Sequence, residues 1–258
     1  MSTTFHQGEQ FIQSESGVSE RTQKLGNKLI RDHIIDQHKE FFEGLPYAFI
    51  ALHDEQGQPW ATMVTGTAGF INSPNSKTLT VNGAVIGTDV LGVNMSNNKP
   101  IGLVGLDFSN RRRNRLNGRI GSANRGDGFS IKVEQSFGNC PKYIQQRLYQ
   151  PNIDNKTRQI SKPVSIEEID QFSDRDAYFL SRADTLFIAS AESANGSLDV
   201  NHRGGSAGFI NVVGSNKLWF NDYPGNNYFQ TFGNIHNYPN VGLMFLDFDS
   251  GDLLLLSG

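Results

Sequence analysis

The sequence predicts a mainly β protein with flanking helices, built as two tandem barrels that pack as a pseudo-dimer within one chain. The first observation behind this is a near-repeat. Gly66-Thr67-Ala68-Gly69-Phe70-Ile71-Asn72 returns as Gly205-Ser206-Ala207-Gly208-Phe209-Ile210-Asn211, changed only at Thr67. Upstream, Phe49-Ile50-Ala51 returns as Phe187-Ile188-Ala189. Downstream, Gly102-Leu103 and Leu106-Asp107-Phe108 return as Gly242-Leu243 and Leu246-Asp247-Phe248, and Leu116-Asn117-Gly118 matches Leu256-Ser257-Gly258. The order is kept and the spacing drifts by only two residues. Two copies are too few for a solenoid, which needs about three stacked units, so two barrels covering each other's apolar faces are expected, with sites between them. The second observation is the texture of both copies: short β-type runs separated by Gly, Asn and Pro, as in antiparallel barrel strands.

Taken in order, residues 1–46 read as an N-terminal helical segment. Ser19 caps a helix reaching about Phe42, with Leu25, Leu29, Ile34, Ile35 and Phe41 near helical spacing, and Gly44 and Pro46 end it. Residues 47–150 form the first barrel repeat, closing on a short helix from Asn139 to Gln150. Residues 151–183 are a linker and helix: 151–164 is polar, and Ser165 with Glu168 makes a capping box. Residues 184–258 form the second repeat, which lacks a last strand. The first copy continues through Phe129-Ser130-Ile131-Lys132-Val133-Glu134, and nothing equivalent follows in the second. Leu253 to Leu256 would then lie on an open sheet edge unless the polypeptide continues or the N-terminal segment fills the gap.

Composition narrows the function classes. A chain of 258 residues with net charge -3 has no general attraction to nucleic acid. Arg111, Arg112, Arg113, Arg115 and Arg119 make one local basic cluster, read either as a solvated hairpin or as an anion site. The single cysteine, Cys140, excludes an internal disulfide and fits a reducing compartment. Neither a signal peptide nor a membrane span is recognisable, which makes the cytoplasm the expected location. The six histidines show no HExxH pattern, and one cysteine cannot build a thiolate cage, so no metal site is expected.

The chemistry is expected in the second copy. Asp199-Val200-Asn201-His202-Arg203-Gly204-Gly205 precedes the repeated strand, and Asn221-Asp222-Tyr223-Pro224-Gly225-Asn226-Asn227-Tyr228 follows the next one. Successive N–H groups of the Pro224 to Asn227 turn could form an anion nest, and the residues after it could start a helix whose dipole adds to it. Arg203 would supply the fixed charge for a phosphate. Such turns often only connect strands. Here the first copy offers a comparison: its equivalents, Thr65-Gly66 and the Gly83 to Asp89 loop, lack both the arginine and the asparagine pair. What the copies share is scaffold, and what only the second has is the better candidate for function.

These residues resemble a known family. The pattern Asp199…Arg203-Gly204-Gly205…Gly208-Phe209, Asp222-Tyr223-Pro224-Gly225-Asn226, Asn234-Ile235, Pro239, Val241-Gly242-Leu243 and Phe245 resembles the FMN-binding split barrels of the pyridoxamine 5'-phosphate oxidase-like family. Asn139-Cys140-Pro141-Lys142-Tyr143-Ile144-Gln145 with Arg147-Leu148 is similar to the motif after the barrel in that group. Phe5-His6-Gln7-Gly8-Glu9 and Gln13 resemble a duplicated-barrel branch, some of whose members are fused to a flavodoxin- or ferredoxin-reductase module. The resemblance implies FMN in the groove between the barrels, with haem or deazaflavin as alternatives known in the family. Arg203, Gly204, Gly205 and the loop with Asn221, Asp222, Gly225, Asn226 and Asn227 would hold the phosphate and ribityl chain, with Gln230 and Thr231 at the ensuing turn and Lys142 reaching across from the first copy. Cys140 is expected to line the flavin or serve structure rather than act as a nucleophile.

The implied activity is that of an FMN-dependent oxidoreductase with a small-molecule substrate or an NAD(P)H-linked reductase partner. A non-catalytic flavin- or haem-binding module, and an electron-transfer partner, are the alternatives. The Arg-rich segment with which strict pyridoxamine phosphate oxidases grip their substrate has no counterpart before Gly258. That reaction is therefore not expected. Association of whole chains as a homodimer is left open.

Overall fold

The computed structural model describes residues 4–124, 128–148 and 165–258. Three helices come first: α1 (Gln7–Glu15), α2 (Ser19–Leu29) and α3 (Asp36–Glu43). The single helix expected from Ser19 to Phe42 is thus two, because Arg31 leaves the helical path to exchange both backbone hydrogen bonds with Ser136. Leu25 and Leu29, counted as its apolar face, are exposed, whereas Ile34, Phe41 and Phe42 enter the core. α1 was not expected. His6 and Glu9 cap it reciprocally, each side chain accepting from the backbone near the other.

The first half contributes β1 (Tyr47–His53), β2 (Pro59–Thr65), β3 (Ile71–Asn75), β4 (Thr78–Val81), β5 (Ala84–Val85), the short α4 (Thr88–Leu91), β6 (Pro100–Asp107), β7 (Arg112–Asn124) and β8 (Gly128–Asn139). They form one curled antiparallel sheet in the order β3-β4-β8-β7-β6-β1-β2-β5. The second half contributes α5 (Asp174–Arg182), β9 (Thr185–Ala191), β10 (Leu198–Gly204), β11 (Ile210–Val213), β12 (Lys217–Phe220), α6 (Gln230–Asn237), β13 (Val241–Leu246) and β14 (Leu253–Ser257). Its strands run β10-β9-β13-β14, with β11-β12 as a separate pair.

The order β2-β1-β6-β7 of the first half is therefore repeated by β10-β9-β13-β14. Even the register is kept: Phe49 faces Val104 and Ala51 faces Gly102, while Phe187 faces Met244 and Ala189 faces Gly242. The halves meet through equivalent residues. Phe49 and Phe187 stack on each other, with ring centroids 3.6 Å apart and planes 15° from parallel. Gly102 lies against the backbone of Leu198 to Val200, and Gly242 lies against that of Pro59 to Ala61, so close that a Cβ at Gly242 would sit 2.4 Å from the Pro59 carbonyl. This apolar interface also buries Met63, Val104, Val200 and Met244. The architecture is mainly β, consistent with split barrels joined as a pseudo-dimer.

Two expected helices are absent. Asn139 to Leu148 leaves the first half without helical structure, because Tyr143 turns at φ 65 and its carbonyl fills the space a side chain at residue 204 would need. Residues 149–164, and with them the whole of the polar linker, lie outside the described residues. The Ser165/Glu168 capping box forms no helix, and Ile166 and Ile169 beside it are exposed. The helix starts at α5 instead, with Ser173 and Asp176 forming the box and Leu180 buried in the core of the second half.

Candidate functional site

A cleft of about 340 Å³ opens between the halves, at the ends of β7, β8 and β10 and the loop before α6. Arg203, Gly204, Asn221, Asp222, Gly225, Asn226, Asn227, Gln230, Thr231 and Lys142 all line it, so the candidates from sequence converge on one place. Gly205 is the exception. It sits behind the wall, donating to the Asp184 carbonyl and packed on the Phe209 ring, with no room for a side chain. Cys140 lines the cleft as a free thiol, half-buried.

Two site residues were hidden in the arginine run. Alternate positions of a strand share a face, so β7 directs Arg113 and Arg115 toward the cleft. Arg112 goes elsewhere, lying over the Phe41 ring and donating to the Gln37 carbonyl. Arg119 pairs with Glu134. The expected basic cluster is thus divided between a site and ordinary surface contacts.

The cleft carries excess positive charge. Arg115 is fully buried and bonded to the Asp199 carboxylate and to Gln230 Oε1. Arg203 lies 3.6 Å from Asp222. Arg113 faces no carboxylate among the described residues; it donates to the carbonyls of His202 (3.2 Å) and Cys140 (2.7 Å) and to His202 Nδ1 (3.3 Å). Burial, with Arg115 and Arg203 nearby, lowers the Arg113 guanidinium to about 10, so it stays charged at neutral pH. Burial is also the largest cause of the lowering at Arg203, partly offset by Asp222, and it holds the Asp222 carboxyl above its ordinary value. Arg113 Nε, Arg115 Nε and His202 Nε2 are buried without a partner among the described residues.

The loop before α6 completes the wall. The N–H groups of Gly225, Asn226 and Asn227 have no acceptor among the described protein groups, while Asn226 Oδ1 accepts from the Tyr228 N–H. Asn227 and Phe229 take left-handed backbone at φ 62 and 55, and α6 begins with no side-chain cap. Uncapped N–H groups at a helix start, beside a turn of free N–H groups, favour an anion. Tyr143 fixes the loop from the first half, stacking on Tyr223 at 5.2 Å and donating to the Pro224 carbonyl.

Behind the cleft lies a buried polar network. Asp199 accepts from Arg115, Asn117 and Asn234, and the side-chain oxygen Oδ1 of Asn234 accepts from His6 Nε2 at 2.9 Å. The His6 backbone N–H in turn donates to the Glu9 carboxyl at 2.8 Å. Burial first, and the Asp199 charge second, hold the Glu9 carboxyl well above its ordinary 4.5. A carboxyl raised on folding contributes stability below about pH 4.5 that is lost as pH rises through its higher folded-state value. Glu9→Gln should therefore stabilise the protein at pH 7 and flatten the decline above pH 4.5. Urea midpoints across pH check this, and parallel profiles would refute it.

The first half has the same geometry with different chemistry. Register places Leu253 and Leu255 where β7 has Arg113 and Arg115, and Met63 and Val64 where β10 has His202 and Arg203. Ile86, from the expected counterpart loop, packs with Leu253 and Leu255 in the apolar interface. The counterpart position is lined by apolar side chains that offer a phosphate neither charge nor donor.

No family model matches the chain, and no curated protein does. Among solved structures it is similar to the crystal structure of Group A Streptococcus HupZ-V5-His6, at 18% sequence identity and a TM-score of 0.32, covering 41% of this chain and 93% of that one. No helix among the described residues is long and apolar enough to cross a membrane.

Proposed function

We propose that the cleft binds flavin mononucleotide and that the protein is an FMN-dependent oxidoreductase acting on a small-molecule substrate. The observation that carries this reading is the convergence of Arg113, Arg115 and Arg203 on the uncapped loop before α6, with Asp199 and Asp222 their only carboxylate partners among the described residues. The lining suits a phosphate, with buried donors lacking partners, and Tyr143, Tyr223 and Phe232 add aromatic surface for a ring system. Arg203 and Arg113 would bind the phosphate with charge, and the Gly225 to Asn227 N–H groups would orient it. Gln230 and Thr231 act from behind, holding Arg115 and Asn201 in place. A bound flavin would supply the electron transfer, and the protein its placement and shielding from water.

Haem is less well served. A guanidinium can only donate, so Arg113 at His202 Nδ1 leaves the proton on Nε2, and His202 then has no lone pair for iron. His202 also stays neutral, its imidazole held well below the ordinary range by burial and by Arg113.

Titration of FMN fluorescence should show one tight site per chain, because Leu253 and Leu255 stand where the cleft has Arg113 and Arg115 and cannot compensate a phosphate. Two tight sites would overturn the assignment. Arg203→Ala should weaken FMN by about tenfold or more, whereas Arg112→Ala, which removes the same charge away from the cleft, should leave it unchanged. Equal affinity in the two variants removes Arg203 from the site. Turnover of NAD(P)H by the flavin-loaded protein separates an enzyme from a carrier.

A further inference from the structure

The loop before α6 holds a backbone that its own residues do not favour. Asn227 and Phe229 are both left-handed, and Tyr228 stands between them. A residue other than glycine keeps that conformation only where its surroundings dictate it. Within the loop, the Tyr228 N–H donates to Asn226 Oδ1 at 3.0 Å. Its other groups are held by the N-terminal segment. The Gln13 side-chain amide donates to the Tyr228 carbonyl at 3.0 Å, and the Phe5 ring lies 5.4 Å from the Tyr228 ring. Gln13 and Phe5 are both fully buried.

α1 is seated on α6 too closely for either to slide. Gly8 and Gly233 bring the two backbones together: a Cβ at Gly8 would stand 2.2 Å from the Gly233 carbonyl oxygen, and one at Gly233 would stand 2.5 Å from the Glu9 nitrogen. His6 Nε2 meets Asn234 Oδ1 beside this crossing, and Phe11 stacks on His236 with centroids 4.3 Å apart. Yet no residue of α1 lines the cleft. We propose that Gln13 is a positioning residue for the phosphate loop: by holding the Tyr228 carbonyl it fixes the turn that leaves the Gly225 to Asn227 N–H groups free for an anion. This rests on the reading of the cleft as a flavin mononucleotide site. Because α1 touches the loop and not the ligand, the docking of α1 and the binding of phosphate are coupled, each favouring the other.

The test uses the full chain and reads amide hydrogen exchange first, without ligand. In Gln13→Leu, exchange should quicken by at least about fivefold at Tyr228 and at Gly233, whose N–H bonds to the Phe229 carbonyl at 2.7 Å, while the amides of β1 and β9 stay unchanged and show that the fold is intact. Unchanged exchange at both amides overturns the proposal. Titration follows. The variant should lose about threefold to tenfold in affinity for flavin mononucleotide and less than about twofold for riboflavin, which lacks the phosphate. An equal loss for both flavins also overturns the proposal, since Gln13 would then support the whole cleft. Gln13→Asn keeps an amide but is one methylene too short to reach the carbonyl, so it should give the same result and serves where the leucine variant does not fold. If the unaltered protein binds neither flavin, the flavin reading has failed and the proposal with it. If it binds both and the variant behaves like it, the proposal alone has failed.

Discussion

Arg115→Ala should cost about 3 to 5 kcal/mol of folding stability, the range for breaking a buried ion pair by removing one partner. The reason lies in what remains. Asp199 is almost fully buried, and without Arg115 its carboxylate would keep only the amides of Asn117 and Asn234 as donors, with the Glu9 carboxyl nearby. The arginine also covers the Phe137 ring, with its guanidinium carbon 5.1 Å from the centroid, so truncation opens a void as well. Arg115→Met combined with Asp199→Asn should recover most of the loss, because it removes both charges and keeps the volume. Urea unfolding of the single and double variants measures this. A single-variant loss under about 1 kcal/mol would mean that Asp199 is satisfied by its amides alone.

Much of this site was legible because the sequence carries its own control. The second copy departs from the first at Arg203 and at the loop from Asn221 to Asn227, and those departures line the cleft. Arg113 and Arg115 were less visible because five neighbouring arginines look like a solvated turn. The repeat held the missing clue: with Leu116 matched to Leu256, Arg113 and Arg115 fall on Leu253 and Leu255, a change of chemistry at conserved geometry. The helices were read less well, for a physical reason. Leu25 and Leu29 continue a helical spacing into Ile34, but two backbone bonds from Arg31 to Ser136 outweigh local propensity. Contacts of that kind leave no trace in periodicity.

Arg113→Ala should weaken flavin mononucleotide by roughly tenfold to 150-fold, the equivalent of about 1.5 to 3 kcal/mol for a charge-assisted contact, while changing riboflavin affinity by less than about threefold. Riboflavin lacks the phosphate, so the pair of ligands isolates the interaction in question and shows whether the variant still folds a ring-binding cleft. Arg113 is the sharper probe of the two candidate arginines. Arg203 already shares its charge with Asp222 at 3.6 Å, whereas Arg113 spends its donors on neutral carbonyls and an imidazole and keeps its full charge for a ligand. Its truncation leaves the carbonyls of His202 and Cys140 without a donor, a modest cost beside the loss of an anion's main counter-charge. Raising salt should narrow the gap between the two flavins in the unaltered protein, though only in part, because Arg113 is partly shielded from solvent. If both flavins lose affinity equally, Arg113 supports the cleft's shape, and the phosphate must be held by Arg203 and the loop before α6.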